Sequence, residues 1–236
     1  MLLAGFEGTR INSDLKELIL DRRVGGLILF ERNFKDLDQL TRLISELQSL
    51  AMSCPASVPL FISVDQEGGR VSRLKAPFSA FPQPGCLGKA RSELLARRFG
   101  LALGQEMDAV GINMVFAPVL DVNTNPRNPI IGARALSDCP EWAARLGKAV
   151  IDGVNEAGVL PVGKHFPGHG DTSRDSHLEL PYVNRDIDSL EKIELQPFIE
   201  AINQGLEVII KDYEHNLSNN VFLRISKILR FLQILP

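Results

Sequence analysis

Three of the four histidines of this chain fall in one segment, Lys164-His165-Phe166-Pro167-Gly168-His169-Gly170-Asp171-Thr172-Ser173-Arg174-Asp175-Ser176-His177. An imidazole titrates near neutrality, so it can hand a proton to a leaving oxygen and later take one from water. A carboxylate two residues away, Asp175 beside His177, can fix the ring's tautomer and support its positive charge, as the aspartate of a Ser-His-Asp triad does. Pro167, Gly168 and Gly170 make a turn, and the residues beyond it are a polar loop. The pattern is an acid/base group on a loop hung from a strand end that carries Lys164 and His165.

His165, His169, Asp171, Asp175 and His177 are also zinc-binding residue types. Pro167 and Gly168 break the helical turn that would align the first two histidines on one face, so proton transfer is favoured and no metal is expected. Plainer roles exist for each residue. His177 alone is a solvated loop histidine, Asp65 a loop cap, and Arg73 and Arg134 surface groups holding Glu67 or Asp121. Lys164 and His165 would suit a buried ion network.

Short apolar runs alternate with longer amphipathic ones, which is the signature of strand and helix units around a parallel sheet. The strands are expected at residues 2–6, 26–30, 60–64, 112–119, 159–164 and 206–210, and the helices at about 12–23, 37–52, 89–110, 140–157 and 189–204. Pro197 should kink or restart the last helix, because proline lacks an amide donor and clashes with the preceding turn. The order suggests a (β/α) barrel, in which ligand groups sit at the C-terminal strand ends. Asp65 with Gln66 and Glu67, then Asp121, then Lys164 with His165 all follow strands in that way.

With 236 residues, 44% of them hydrophobic, one domain with one large core is expected. The formal charge of -3 and the lack of a basic block argue against a nucleic-acid partner. Three widely spaced cysteines suggest neither a disulfide framework nor a thiolate metal site. No run reaches the roughly 18 apolar residues of a membrane span, and a cytoplasmic location is expected.

The segment from Lys164 to His177, together with Val24-Gly-Gly-Leu-Ile-Leu-Phe-Glu-Arg-Asn33, Ser63-Val-Asp-Gln-Glu-Gly-Gly-Arg-Val71, Phe116-Ala-Pro-Val-Leu-Asp-Val122 and Ile131-Gly-Ala-Arg134, resembles glycoside hydrolase family 3. The likeness is to its bacterial β-N-acetylglucosaminidases (β-N-acetylhexosaminidases) that act on muropeptide fragments, and it covers about Leu2 to Ile210. It implies a TIM-type (β/α)8 barrel and hydrolysis of terminal β-linked N-acetylglucosamine with retention, without a cofactor, in peptidoglycan recycling. By the same resemblance Asp65, Arg73, Arg134, Lys164 and His165 bind the sugar, His177 is the general acid/base, and Asp175 orients it. Most glycosidases use two carboxyl groups, so a histidine here is a variation on that plan.

The resemblance stops near residue 210. The family's nucleophilic aspartate lies in a Ser-Asp-Asp or similar segment after the seventh strand, whereas this chain continues Lys211-Asp212-Tyr213-Glu214-His215-Asn216 and no nucleophile is found. No glycine follows Gly205. Residues 1–210 are therefore expected to form an incomplete barrel of about six βα units, truncated or altered thereafter. Residues 211–236 are expected to be a divergent tail, helical from about 221. Open barrel edges invite self-association, and a sugar-binding remnant without turnover is the alternative to an active hydrolase.

Overall fold

The computed structural model describes residues 2–171, 187–211 and 232–234. The chain runs β1 (Leu3–Gly5), α1 (Ser13–Leu20), β2 (Gly26–Leu29), α2 (Leu37–Met52), β3 (Phe61–Val64), and a small hairpin of β4 (Gln66–Gly68) and β5 (Val71–Ser72). It continues α3 (Gly85–Ala90), α4 (Glu93–Asp108), β6 (Met114–Val115), α5 (Pro140–Glu156) and β7 (Leu160–Phe166). Next come α6 (Ile187–Lys192), α7 (Gln196–Asn203), β8 (Val208–Lys211) and β9 (Leu232–Ile234). Seven strands pair in the order β1-β2-β3-β6-β7-β8-β9, and every pair is parallel.

Alternation along the strands curls this sheet. Leu27, Leu29, Ile62, Val64 and Val115 point outward into a core shared with Leu40, Leu43 and Leu47 of α2 and Leu103 and Met107 of α4. Their neighbours in sequence point the other way: Leu3, Ile28, Phe61, Met114, Val162 and Val208, drawn from six strands, meet in one inner cluster. A flat sheet would keep those side chains in a row, so their convergence marks the wall of a partial barrel. Burial on both faces explains why the strands are nearly continuous apolar runs.

The helices are bounded by local chemistry. Asn12, Asp36 and Ser92 cap α1, α2 and α4 by accepting from the amides of Leu15, Gln39 and Leu95 at 2.8, 2.8 and 3.2 Å. The single helix expected over 89–110 is two, because Arg91 takes a left-handed conformation at φ 46° and Ser92 begins a new helix. The helix expected over 189–204 is likewise two, and Pro197 sits in the first turn of α7, where a missing amide donor costs nothing. The tail departs from expectation at Leu232–Ile234. These residues pair with Val208–Ile210 as a parallel strand rather than ending a helix, and their backbone continues the sheet beyond β8. Residues 212–231, where that helix was expected to begin, and residues 172–186 lie outside the described residues.

Candidate active site

Parallel strands deliver their C-terminal ends to one side of the sheet, and the polar residues noted in the sequence gather there. Asp65 follows β3, and the hairpin turns back immediately after it. Gln66 fixes that turn with its side chain, donating to the Leu74 carbonyl at 3.0 Å and accepting from the Leu74 amide at 3.1 Å. Residues 117–121 run beside β7, with the Leu120 amide donating to the Lys164 carbonyl at 2.7 Å, which brings Asp121 against His165.

The result is one chain of charged contacts. Lys164 Nζ lies 2.5 Å from Asp65 Oδ1 and 2.6 Å from Glu67 Oε1. Glu67 also receives both arms of the Arg134 guanidinium, at 2.8 and 2.9 Å, a bidentate geometry that fixes orientation as well as charge. Arg134 Nη2 stands 3.1 Å from His165 Nε2, and His165 Nδ1 is 2.7 Å from Asp121 Oδ2. A guanidinium can only donate, so Nε2 accepts from Arg134 and the ring proton on Nδ1 is donated to Asp121. The other Asp121 oxygen accepts from the His169 amide at 2.6 Å.

The exposures divide these groups into two layers. Glu67 and Asp121 are 1% and 0% exposed, whereas the side chains of Asp65, His165 and Arg134 keep 23, 19 and 11%. The buried carboxylates hold, and the partly open groups are held. Burial alone would push the Glu67 carboxyl up. The charges and hydrogen bonds of Lys164 and Arg134 outweigh it and bring its pKa from 4.5 to about 2. Asp121 likewise stays below its ordinary value despite burial, chiefly through His165. Glu67 in turn keeps the Arg134 guanidinium above its ordinary value, against the opposing effect of burial.

Four of the seven residues singled out in the sequence, Asp65, Arg134, Lys164 and His165, are therefore brought into a single network. Arg73 is close by, its amide donating to the Asp65 carbonyl at 3.2 Å, and its buried Nε has no hydrogen-bond partner among the described residues. Asp175 and His177 lie outside the described residues. Among the described residues no three His, Cys, Asp or Glu side chains converge as a metal cage requires. Sequence reasoning placed Glu67 and Asp121 among the polar strand ends and as possible carboxylates for Arg73 or Arg134. It did not see them as the two buried anchors, although for Glu67 an acid followed at once by Gly-Gly was an available signal.

Residues 2–216 match the model of the glycosyl hydrolase family 3 N-terminal domain. The chain belongs to that family. Beta-hexosaminidase A of Pseudoalteromonas piscicida is 41% identical over 198 residues, which are 82% of this chain and 33% of that protein. A family 3 beta-N-acetylglucosaminidase from Paenibacillus sp. str. FPU-7 superposes with a TM-score of 0.87 at 44% identity, over 89% of this chain and 40% of that one. NagZ from Neisseria gonorrhoeae, solved in complex with N-trifluoroacetyl-D-glucosamine, gives 0.83 at 36%, over 89% of this chain and 62% of that one. This family 3 chain thus spans between a third and about three fifths of the length of these three relatives.

Proposed function

We propose that this family 3 chain carries the sugar-binding half of a retaining β-N-acetylglucosaminidase that acts on terminal β-linked N-acetylglucosamine, muropeptide fragments included. The observation that carries the reading is the network of Asp65, Lys164, Arg134 and His165, held by Glu67 and Asp121 at the C-terminal strand ends. Asp65 and Lys164 form one hydrogen-bonded pair and Arg134 and His165 another, which together offer the acceptor and donor groups that sugar hydroxyls take. The names of the relatives support the hexosaminidase class. In this reading Arg73 also faces the sugar, His177 protonates the glycosidic oxygen and then deprotonates water, and Asp175 orients its ring. No cofactor takes part.

A second reading, a sugar-binding domain without turnover, is favoured by one feature. Among the described residues each carboxylate of the network is already engaged with a cation or a histidine, and none stands ready as a nucleophile. Chromophore release from an aryl β-N-acetylglucosaminide, beside calorimetry with N-acetylglucosamine, separates the readings. Turnover lost in His177→Ala supports the enzyme, and binding without turnover supports the second reading. Absence of both defeats the proposal.

A further inference from the structure

Asn128, 6% exposed, uses both ends of its carboxamide. Its Nδ2 donates to the carbonyls of His169 at 2.7 Å and Gly170 at 3.2 Å. Its Oδ1 accepts from the amides of Ile130 at 2.9 Å and Ile131 at 2.8 Å. The Ile130 carbonyl accepts from Arg134 Nη1 at 3.3 Å, and the Ile131 carbonyl from the Arg134 amide at 2.9 Å. On the other side, the His169 amide is bonded to Asp121, which holds His165, which faces Arg134. The contacts therefore close on themselves, from Arg134 through His165, Asp121, His169 and Asn128 back to the segment that carries Arg134. A closed ring of hydrogen bonds fixes the spacing of its members better than a chain with a free end, since no member can swing without breaking two contacts.

Space in the ring is scarce. A Cβ at Gly170 would stand 1.7 Å from the Val122 carbonyl oxygen, so the turn lies directly on the backbone that leads to Asn128. Thr124 Oγ1 donates to Asp171 Oδ1 at 3.0 Å, one step further along. The 122–131 segment thus grips the His169–Asp171 turn at several points, and Asn128 is the one whose side chain also reaches the Arg134 arm.

We infer that Asn128 is a positioning residue that locks the His169–Gly170 turn to the Arg134 arm, so that filling the site at Arg134 and His165 is felt at the turn. The inference rests on the reading of those two residues as sugar-binding groups. Exchanging the carboxamide donor for a carboxylate, Asn128→Asp, keeps the acceptor for Ile130 and Ile131 and sets an anion against two carbonyl oxygens. A protonated aspartate would restore one donor, and burial among carbonyls raises the pH at which that happens.

The test uses the full chain, wild type, Asn128→Asp and Asn128→Ala. Amide exchange is followed at His169 by NMR, and N-acetylglucosamine affinity is measured by calorimetry from pH 7 down to pH 5. In both variants the His169 amide should exchange at least about tenfold faster without sugar, while amides of α4 and α5 keep their wild-type rates. Affinity should fall about tenfold in both. In Asn128→Asp alone it should recover towards wild type, as a ratio at each pH, when the solution is acidified. A His169 amide that exchanges as in the wild type, or faster exchange throughout the core, overturns the inference. If the wild type binds no N-acetylglucosamine, the sugar-site reading falls, and the His169 exchange still decides the lock.

Discussion

Glu67 is the residue on which the candidate site turns, since among the described residues it alone touches both Lys164 and Arg134. Removing one partner of a buried ion pair leaves the other uncompensated, which costs about 3 kcal/mol or more. Glu67→Gln should therefore lower the unfolding free energy by about that amount, read from a urea titration, and weaken N-acetylglucosamine binding as Arg134 loses its bidentate hold. The pH dependence has a definite sign. The Glu67 pKa falls on folding from 4.5 to about 2, so the fold binds fewer protons at this group than the open chain does between those values. Its stabilisation is complete above about pH 4.5 and is lost as the pH drops towards 2. The thermal midpoint of the wild type should fall through that window more steeply than that of Glu67→Gln. Sequence showed four members of the network, because Lys164, His165, Asp65 and Arg134 sit in recognisable motifs. It could not show which acids were buried, since burial of Glu67 depends on a hairpin folding back over it and burial of Asp121 on the strand beside it.

At the scale of elements, α4 and α5 stiffen the wall behind the site. A Cβ at Gly100 would lie 2.2 Å from the Val150 carbonyl oxygen, and one at Gly153 would lie 2.1 Å from the Arg97 carbonyl oxygen. The two helices approach backbone to backbone, and a methyl group there has nowhere to go. Gly153→Ala should destabilise the fold by about 3 kcal/mol, the upper part of the usual range for overpacking, in spite of alanine's better helix propensity. Differential scanning calorimetry checks it, and an unchanged midpoint would contradict the account. Helix periodicity made both elements visible in sequence, but not the break at Arg91, where Ser92 caps a new helix inside an apolar pattern that continues across the gap. Pro197 was more informative, because a proline in a first turn has one mechanical meaning. The strand at Leu232–Ile234 was hidden for the opposite reason: Leu232 continues the helical spacing expected from 221, and three residues are too few to show the alternation of a strand.

For the whole molecule, the alternation of strand and helix gave the parallel sheet and its ligand-bearing end, because both follow from chain direction alone. All six expected strands lie in the sheet, and the seventh did not follow, since a short strand such as Leu232–Ile234 barely differs from a loop in composition. Among the described residues the sheet order leaves β1 and β9 at its two margins. Leu2, at the start of the first margin, is 61% exposed. Unpaired strand edges with apolar residues promote association, and a lysine on the edge suppresses it. Sedimentation velocity should show a mass that rises with concentration in the wild type and rises less in Leu2→Lys, and a concentration-independent monomer in the wild type would refute this.

The glycine contact between α4 and α5 also bears on time. Water finds no opening where two backbones touch, so the amides along that seam should be among the last to exchange with solvent, and opening there should approach global unfolding. The charged network at the strand ends is anchored to β3, which shares its core with α4 and α5, and to β7, which packs on α5. Slow motion of that network is thus tied to a seam on the far side of the sheet, and a substitution that loosens the seam should quicken the network without altering any of its charged groups.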